Sequence, residues 1–391
     1  MSGFTRVYTD LALTPLRIAT STVNGMVGYA TRNLTPLSDP LLPWRVSTDL
    51  ATWWTTRTVR DQPQWAHPSR VIRYWPLARL RDYSDPVGAA VLPTVVLPPQ
   101  AGHDSCIVDY APGQSQLLTL RAAGLERLYC LDWIGAEVGD RATTDASIED
   151  YLAVLDNTVE LLGGQVNLVG DCQGGWLAAI YAALHPERVN TLTVAGAPID
   201  CHAGKSPLLD WTRLIAGIGR RSGLGELAWY RASVALGGGV APGFNQLLGF
   251  KMLRPTSEWD RDMALLAHIR DPEYVARHAE FADWFEWTQD LPGQFYLWIV
   301  EHLFLGNELI AGELTIGDRR VDLGAIDCPV FLIAGASDHI TPPEQVWALA
   351  EQVNGPVHRE LVHGGHLGLF MGREALREHW APLMARVRKL S

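Results

Sequence analysis

The stretch VNLVGDCQGGWLAA, from Val166 to Ala179, constrains the chain more than any other. Its apolar run Val166–Val169 has the length and β-branched character of a buried strand, and the apolar run after Gly175 has that of a buried helix. Between them, Gly170-Asp171-Cys172-Gln173-Gly174 leaves room only for a sharp turn. Glycines flank such a turn because side chains there would collide. The turn lifts its central residue out of the sheet, at the N-terminus of the following helix. A thiol there is favoured as thiolate by the partial positive charge of the helix end. The N–H of Gln173, next along, would face an oxyanion forming on the attacked carbonyl. A free cysteine can also be a small buried hydrophobe, but a strand-Gly-x-Cys-x-Gly-Gly-helix context favours the nucleophile.

The surrounding sequence repeats the same alternation. AAVLPTVVLPP (89–99), LERLYCLDW (125–133), QVNLVG (165–170) and VNTLTVAGAP (189–198) read as strands. Amphipathic helices separate them, one of which starts at a Ser147 N-cap. This pattern predicts a mostly parallel, doubly wound sheet, the α/β-hydrolase fold, with an inserted mainly helical cap. Residues 1–88 form an N-terminal segment without clear alternation, 89–200 and 311–391 the core, and 201–310 the cap or lid. Within the cap, DWFEWTQDLPGQFYLWIVEHLF (283–304) has aromatic residues at near-helical spacing. That pattern suits either ordinary packing or an apolar wall for a substrate or partner.

A cysteine nucleophile needs a base and a group to orient it, in the chain order nucleophile, acid, histidine. Asp338 follows the strand CPVFLIAG, and His366 lies in the glycine-rich loop after the last strand. Both suit a triad with Cys172. His339 and His363 are competing bases, and Asp327 sits at the wrong end of its strand. A second oxyanion donor is expected from the loop between Gln100 and His103, with Gly102 the chosen position. His103 and Trp176 are expected to contact substrate.

With 32 basic and 43 acidic residues, and no basic block, nucleic acid is an unsuitable partner. Five cysteines at irregular spacing, with no CxxC pair, suit a reducing compartment and give no metal motif. Arg6, Arg17 and Asn24 interrupt every N-terminal apolar stretch, so neither a secretion signal nor a transmembrane segment is expected, and the location expected is cytoplasmic. No metal or organic cofactor is implied. The chain has 15 tryptophans, several grouped at 53–75 and 284–298, which suit segment packing or an apolar surface.

The runs from Ala111 to Trp133, from Val166 to Gly175 and from Gly312 to Pro343 resemble polyhydroxyalkanoate synthases. Their G-x-C-x-G-G box falls on Gly170, Cys172, Gly174 and Gly175, and their acid and histidine fall on Asp338 and His366. DWIGA at 132–136, GAPIDCHAGKSP at 196–207, APGFNQLLGF at 241–250 and GHLGLFMGREALREHW at 365–380 are more similar to intracellular polyhydroxyalkanoate depolymerases. Two departures stand out. Asp171 sets an acid beside the nucleophile, where a carboxylate opposes thiolate unless it is turned away or paired. Trp176 replaces a small residue and would narrow the entrance. The resemblance implies a cysteine-dependent hydrolase of the polyester or its oligomers, working through a thioester. The alternative it implies is a synthase polymerising 3-hydroxyacyl-CoA with the same triad. A small-substrate hydrolase or thioesterase, or a non-catalytic granule-surface protein, would fit less of the pattern. Association with storage granules, and a homo-oligomer or helper subunit, belong to the same expectation.

Overall fold

Strands buried on both faces are what near-continuous apolar runs require, and the computed structural model has them. It describes residues 3–85, 91–253 and 256–391. The strands of the large sheet are β1 (Arg70–Tyr74), β2 (Ala78–Asp82), β3 (Thr94–Leu97), β4 (Leu128–Trp133), β5 (Val166–Asp171), β6 (Val189–Ala195), β7 (Val330–Gly335) and β8 (Val357–Val362). Their order is β1-β2-β4-β3-β5-β6-β7-β8. β2 runs antiparallel to both β1 and β4, and every other pair is parallel. This is the α/β-hydrolase fold. Every residue of β3, β5 and β7 is buried, at about 1.5–3 kcal/mol for each large aliphatic side chain removed from water.

The sheet starts at Arg70, inside the stretch assigned to an N-terminal segment. The edge strand β1 and the adjacent β2 are short and charged, RVIRY and ARLRD, and they lack the apolar run by which the central strands declare themselves. The expected boundary at 88/89 lies outside the described residues.

The chain divides into two compact units. One comprises residues 64–243 and 289–391 and contains the whole sheet. The other joins residues 1–63 to 244–288 and is helical. In the helical unit, the helix Gly3–Asn33 packs on the helix Ser257–Ala267 at small residues. A side chain at Gly25 would meet the Cβ of Met263 at 2.7 Å, and one at Gly28 would meet that of Ala267 at 3.0 Å. Tyr29, Met263, Leu265, Leu266 and Ile269 form its core. Residues 201–310 therefore contribute to both units. Among the described residues, no helix is long and apolar enough to cross a membrane.

The helix Gln173–Leu184 is buried at every position from Gly174 onward. It lies so close to the sheet that a Cβ on Gly174 would collide with the Leu97 carbonyl, and one on Gly170 with the Gly174 carbonyl. A backbone obstacle of that kind cannot rotate away. Gly174→Ala is accordingly expected to lower folding stability by about 3 kcal/mol, read as a shift in the urea midpoint with unchanged slope.

Candidate active site

Cys172 follows β5 and precedes the buried helix in a backbone conformation rare for a side-chain-bearing residue, φ 51° and ψ −115°. Its N–H donates to the Ala195 carbonyl at 2.8 Å, and its carbonyl accepts from Gly175 N–H at 3.0 Å. These two bonds hold the strained turn. The N–H of Gln173, first in the helix, has no carbonyl one turn behind it and is available to an oxyanion.

His366 heads the short helix His366–Met371 after β8, and Asp338 lies in the loop after β7. The imidazole Nδ1 stands 2.7 Å from Asp338 Oδ2, and both side chains are almost fully buried. Asp338 Oδ1 accepts from the N–H groups of Ile340 and Thr341, each at 2.9 Å. The carboxylate is thereby locked, and Cys172 lies near enough to act electrostatically on the ring. Phe370 packs edge-on against the ring at 5.4 Å. Burial opposes the imidazolium. The charges of Asp338 and Cys172 and the hydrogen bond to Asp338 outweigh it, raising His366 well above its ordinary value. His363 is exposed and so is Asp327; of these groups only His366 and Asp338 form the buried pair.

The other cysteines are inert by comparison. Cys106, Cys130, Cys201 and Cys328 are buried, and among the described residues Cys172 is the half-buried one. Burial pushes all four thiols up, Cys328 to about 11.

Asp171 is fully buried. Gln116 donates to its Oδ1 at 3.1 Å, and its Oδ2 has no hydrogen-bond partner. Burial pushes this carboxyl up to about 7, against the opposing pull of Gln116 and of the His366 charge. Near neutral pH it therefore carries less negative charge beside Cys172 than its residue type implies.

The loop chosen for the second oxyanion donor is anchored from a distance. Gly102 has φ 83°, and its carbonyl accepts from Gln289 N–H at 2.8 Å, while the Gln289 side-chain amide donates to Asp104 at 3.1 Å. Gln100 is buried, with its amide on the Tyr151 hydroxyl at 3.3 Å. Sequence reading missed Gln289, Gln116 and Tyr151 because nothing local marks them. His103 is buried beside Gly102. Trp176 requires a correction. It is 1% exposed and packs on Phe295 at 6.2 Å and Trp298 at 6.0 Å. The helix turns this side chain into the core, so it fills space beneath the site and does not border an entrance.

The family model described as "Protein of unknown function (DUF3141)" matches residues 70–375. The poly(3-hydroxyalkanoate) polymerase subunit PhaC of Allochromatium vinosum is 27% identical over 280 residues, covering 70% of this chain and 74% of that protein. The subunit of the same name from Synechocystis is 28% identical over 296 residues, with 70% and 73% covered. A monoacylglycerol lipase structure from Paleococcus ferrophilus, 17% identical, covers 80% of this chain and 99% of its own at a TM-score of 0.46.

Two outcomes are expected from the site's geometry. Iodoacetamide at pH 7 should label the native protein at Cys172 alone, by peptide mapping, and His366→Ala should slow labelling roughly tenfold by removing the thiolate's partner. Asp171 binds a proton in the folded chain that the unfolded chain releases between about pH 4 and 7, so stability is lost as pH rises through that interval. Asp171→Asn removes this loss, and its advantage in melting temperature over the parent chain should grow from pH 5 to pH 7 and level off above.

Proposed function

The chain belongs to the DUF3141 family, and we propose that it is a cysteine-dependent acyltransferase that moves 3-hydroxyacyl units from a coenzyme A thioester to a hydroxyl acceptor. The observation that carries this reading is the buried Asp338–His366 pair, whose ring feels Cys172 on its strained turn. A thiol nucleophile suits transfer because the acyl-enzyme it forms is again a thioester, still activated toward a second acceptor. The polymerase subunits among the relatives support a hydroxyl acceptor at the end of a growing polyester. They weigh toward chain growth, ahead of the hydrolysis that the sequence segments put first.

In the proposed cycle the Cys172 thiolate attacks the thioester carbonyl. The tetrahedral oxyanion is met by the Gln173 N–H and by backbone of the Gly102 loop. Its collapse breaks the bond to coenzyme A, which leaves with the proton from His366. The neutral imidazole then removes the proton of the acceptor hydroxyl as that oxygen attacks the acyl-enzyme. Collapse of the second intermediate expels the Cys172 thiolate and leaves the imidazolium, restoring the starting pair. Asp338 holds the ring and stabilises its charged form throughout.

Water in place of the hydroxyl would give the free hydroxyacid. That second reading is favoured by the depolymerase-like stretch Gly365–Trp380, which carries His366 itself. The deciding experiment follows coenzyme A release from 3-hydroxybutyryl-CoA by thiol detection while the products are separated by size. Chain growth predicts thiol release with polymer, and hydrolysis predicts thiol release with monomer acid. Cys172→Ala should abolish both signals, and His366→Ala should lower turnover by about 10²–10⁴-fold. Retention of turnover in Cys172→Ala would remove the thiol mechanism altogether.

A further inference from the structure

The helical unit carries an open cavity of about 460 Å³, a volume in the range of small-molecule sites. Among the described residues, four cations and three carboxylates border it. Arg57 is on Asp262 at 2.6 Å and Arg60 on Glu286 at 2.6 Å. Lys251 bridges Glu258 at 2.8 Å and Glu286 at 2.9 Å. Every bordering carboxylate is engaged by these contacts.

Arg261, the fourth cation, approaches Glu258 only at 3.8 Å. Its guanidinium lies over Phe281 at 4.9 Å and Phe285 at 5.6 Å, which fixes the group in place without neutralising it. Burial outweighs the attraction of the surrounding acids and draws Arg261 below the usual guanidinium value. On the adjoining helix, His278 has a side chain 9% exposed and a nearest carboxylate, Asp262, at 3.9 Å. Burial, with the charges of Arg261 and Arg60, pushes His278 down to about 4. At neutral pH it is an uncharged ring with an N–H to offer.

A cavity with one more cation than carboxylate, a guanidinium whose nearest carboxylate stands at 3.8 Å and is shared with Lys251, and a neutral imidazole beside it has a place for an anion. We propose that this cavity binds the phosphoryl end of a small soluble metabolite, of nucleotide size, with Arg261 and His278 as its ligands. The planar fork of Arg261 matches two phosphoryl oxygens at once, the geometry in which a guanidinium is most selective. The volume exceeds what inorganic phosphate fills, so a diphosphate or nucleoside diphosphate should bind more tightly than phosphate alone.

The test is isothermal titration of the full chain with phosphate, pyrophosphate and ADP, at ionic strength held constant with sodium chloride. Pyrophosphate or ADP should bind ahead of phosphate, and Arg261→Met should weaken binding by about tenfold or more, the worth of a charge-assisted hydrogen bond. Arg261→Lys, which keeps the charge but loses the fork, should fall between the two. If Arg261→Met does not fold, His278→Gln makes the same comparison from the adjoining helix. Absence of binding by all three ligands, or equal binding by the parent chain and the folded variants, would overturn the proposal.

Discussion

The contact on which the site depends is the approach of the helix Gln173–Leu184 to the sheet across Gly170 and Gly174. Because no side chain separates them, the helix backbone rests directly on the carbonyls at the ends of β3 and β5. The connection from strand to helix then has no length to spare, and Cys172 takes up the reversal with a positive φ. Strain of 1–3 kcal/mol at such a residue persists only where neighbours over-determine it. Here they are the bonds to Ala195 and Gly175 and the buried face that follows. The same geometry leaves the thiol half-buried at the N-terminus of the helix, beside its first N–H. Packing and chemistry are two results of one close contact.

Around that turn, burial sets the electrostatics. Asp338 and His366 are removed from water together, which leaves the Asp338 charge unscreened and makes it a strong partner for the imidazolium. Two backbone N–H groups occupy the other carboxylate oxygen, so the ring has one orientation open to it. Asp171 meets the same low-polarity surroundings with a single neutral donor, Gln116, and its pKa moves the opposite way to that of an ion-paired acid. Residue type alone makes Asp171 and Asp338 alike; Asp338 instead meets two backbone N–H groups and the His366 ring.

What the sequence made legible follows from how local each signal is. The central strands announce themselves because burial on both faces demands unbroken apolar runs. The turn announces itself because only glycine fits on either side of Cys172. Asp338 and His366 could be located because each follows a recognisable strand. The edge strand β1 and its neighbour β2 were not legible, since their partly exposed side chains let Arg and Asp mix with apolar residues. Trp176 was misjudged because its neighbours Phe295 and Trp298 come from more than a hundred residues away. Gln289 escaped notice for the same reason, its partners being the carbonyl of Gly102 and the side chain of Asp104.

The helical unit extends this reasoning to a whole element of architecture. Its halves, residues 1–63 and 244–288, are separated by the chain that makes most of the sheet. Closing a loop of roughly 180 residues costs about 5 kcal/mol, and that cost rises only logarithmically with length. Burial of two or three large apolar side chains offsets it at about 1.5–3 kcal/mol each. The unit buries Tyr29, Met263, Leu265, Leu266 and Ile269, and Arg270 pairs with Asp49 at 2.8 Å, where Tyr29 also donates. A discontinuous unit therefore needs a core larger than a continuous one by only two or three apolar side chains. Sequence patterning reports periodicity within a segment and carries no record of which distant segment supplies the facing side chains. This is why an N-terminal stretch and part of an insertion, read separately, gave no sign that they share a core.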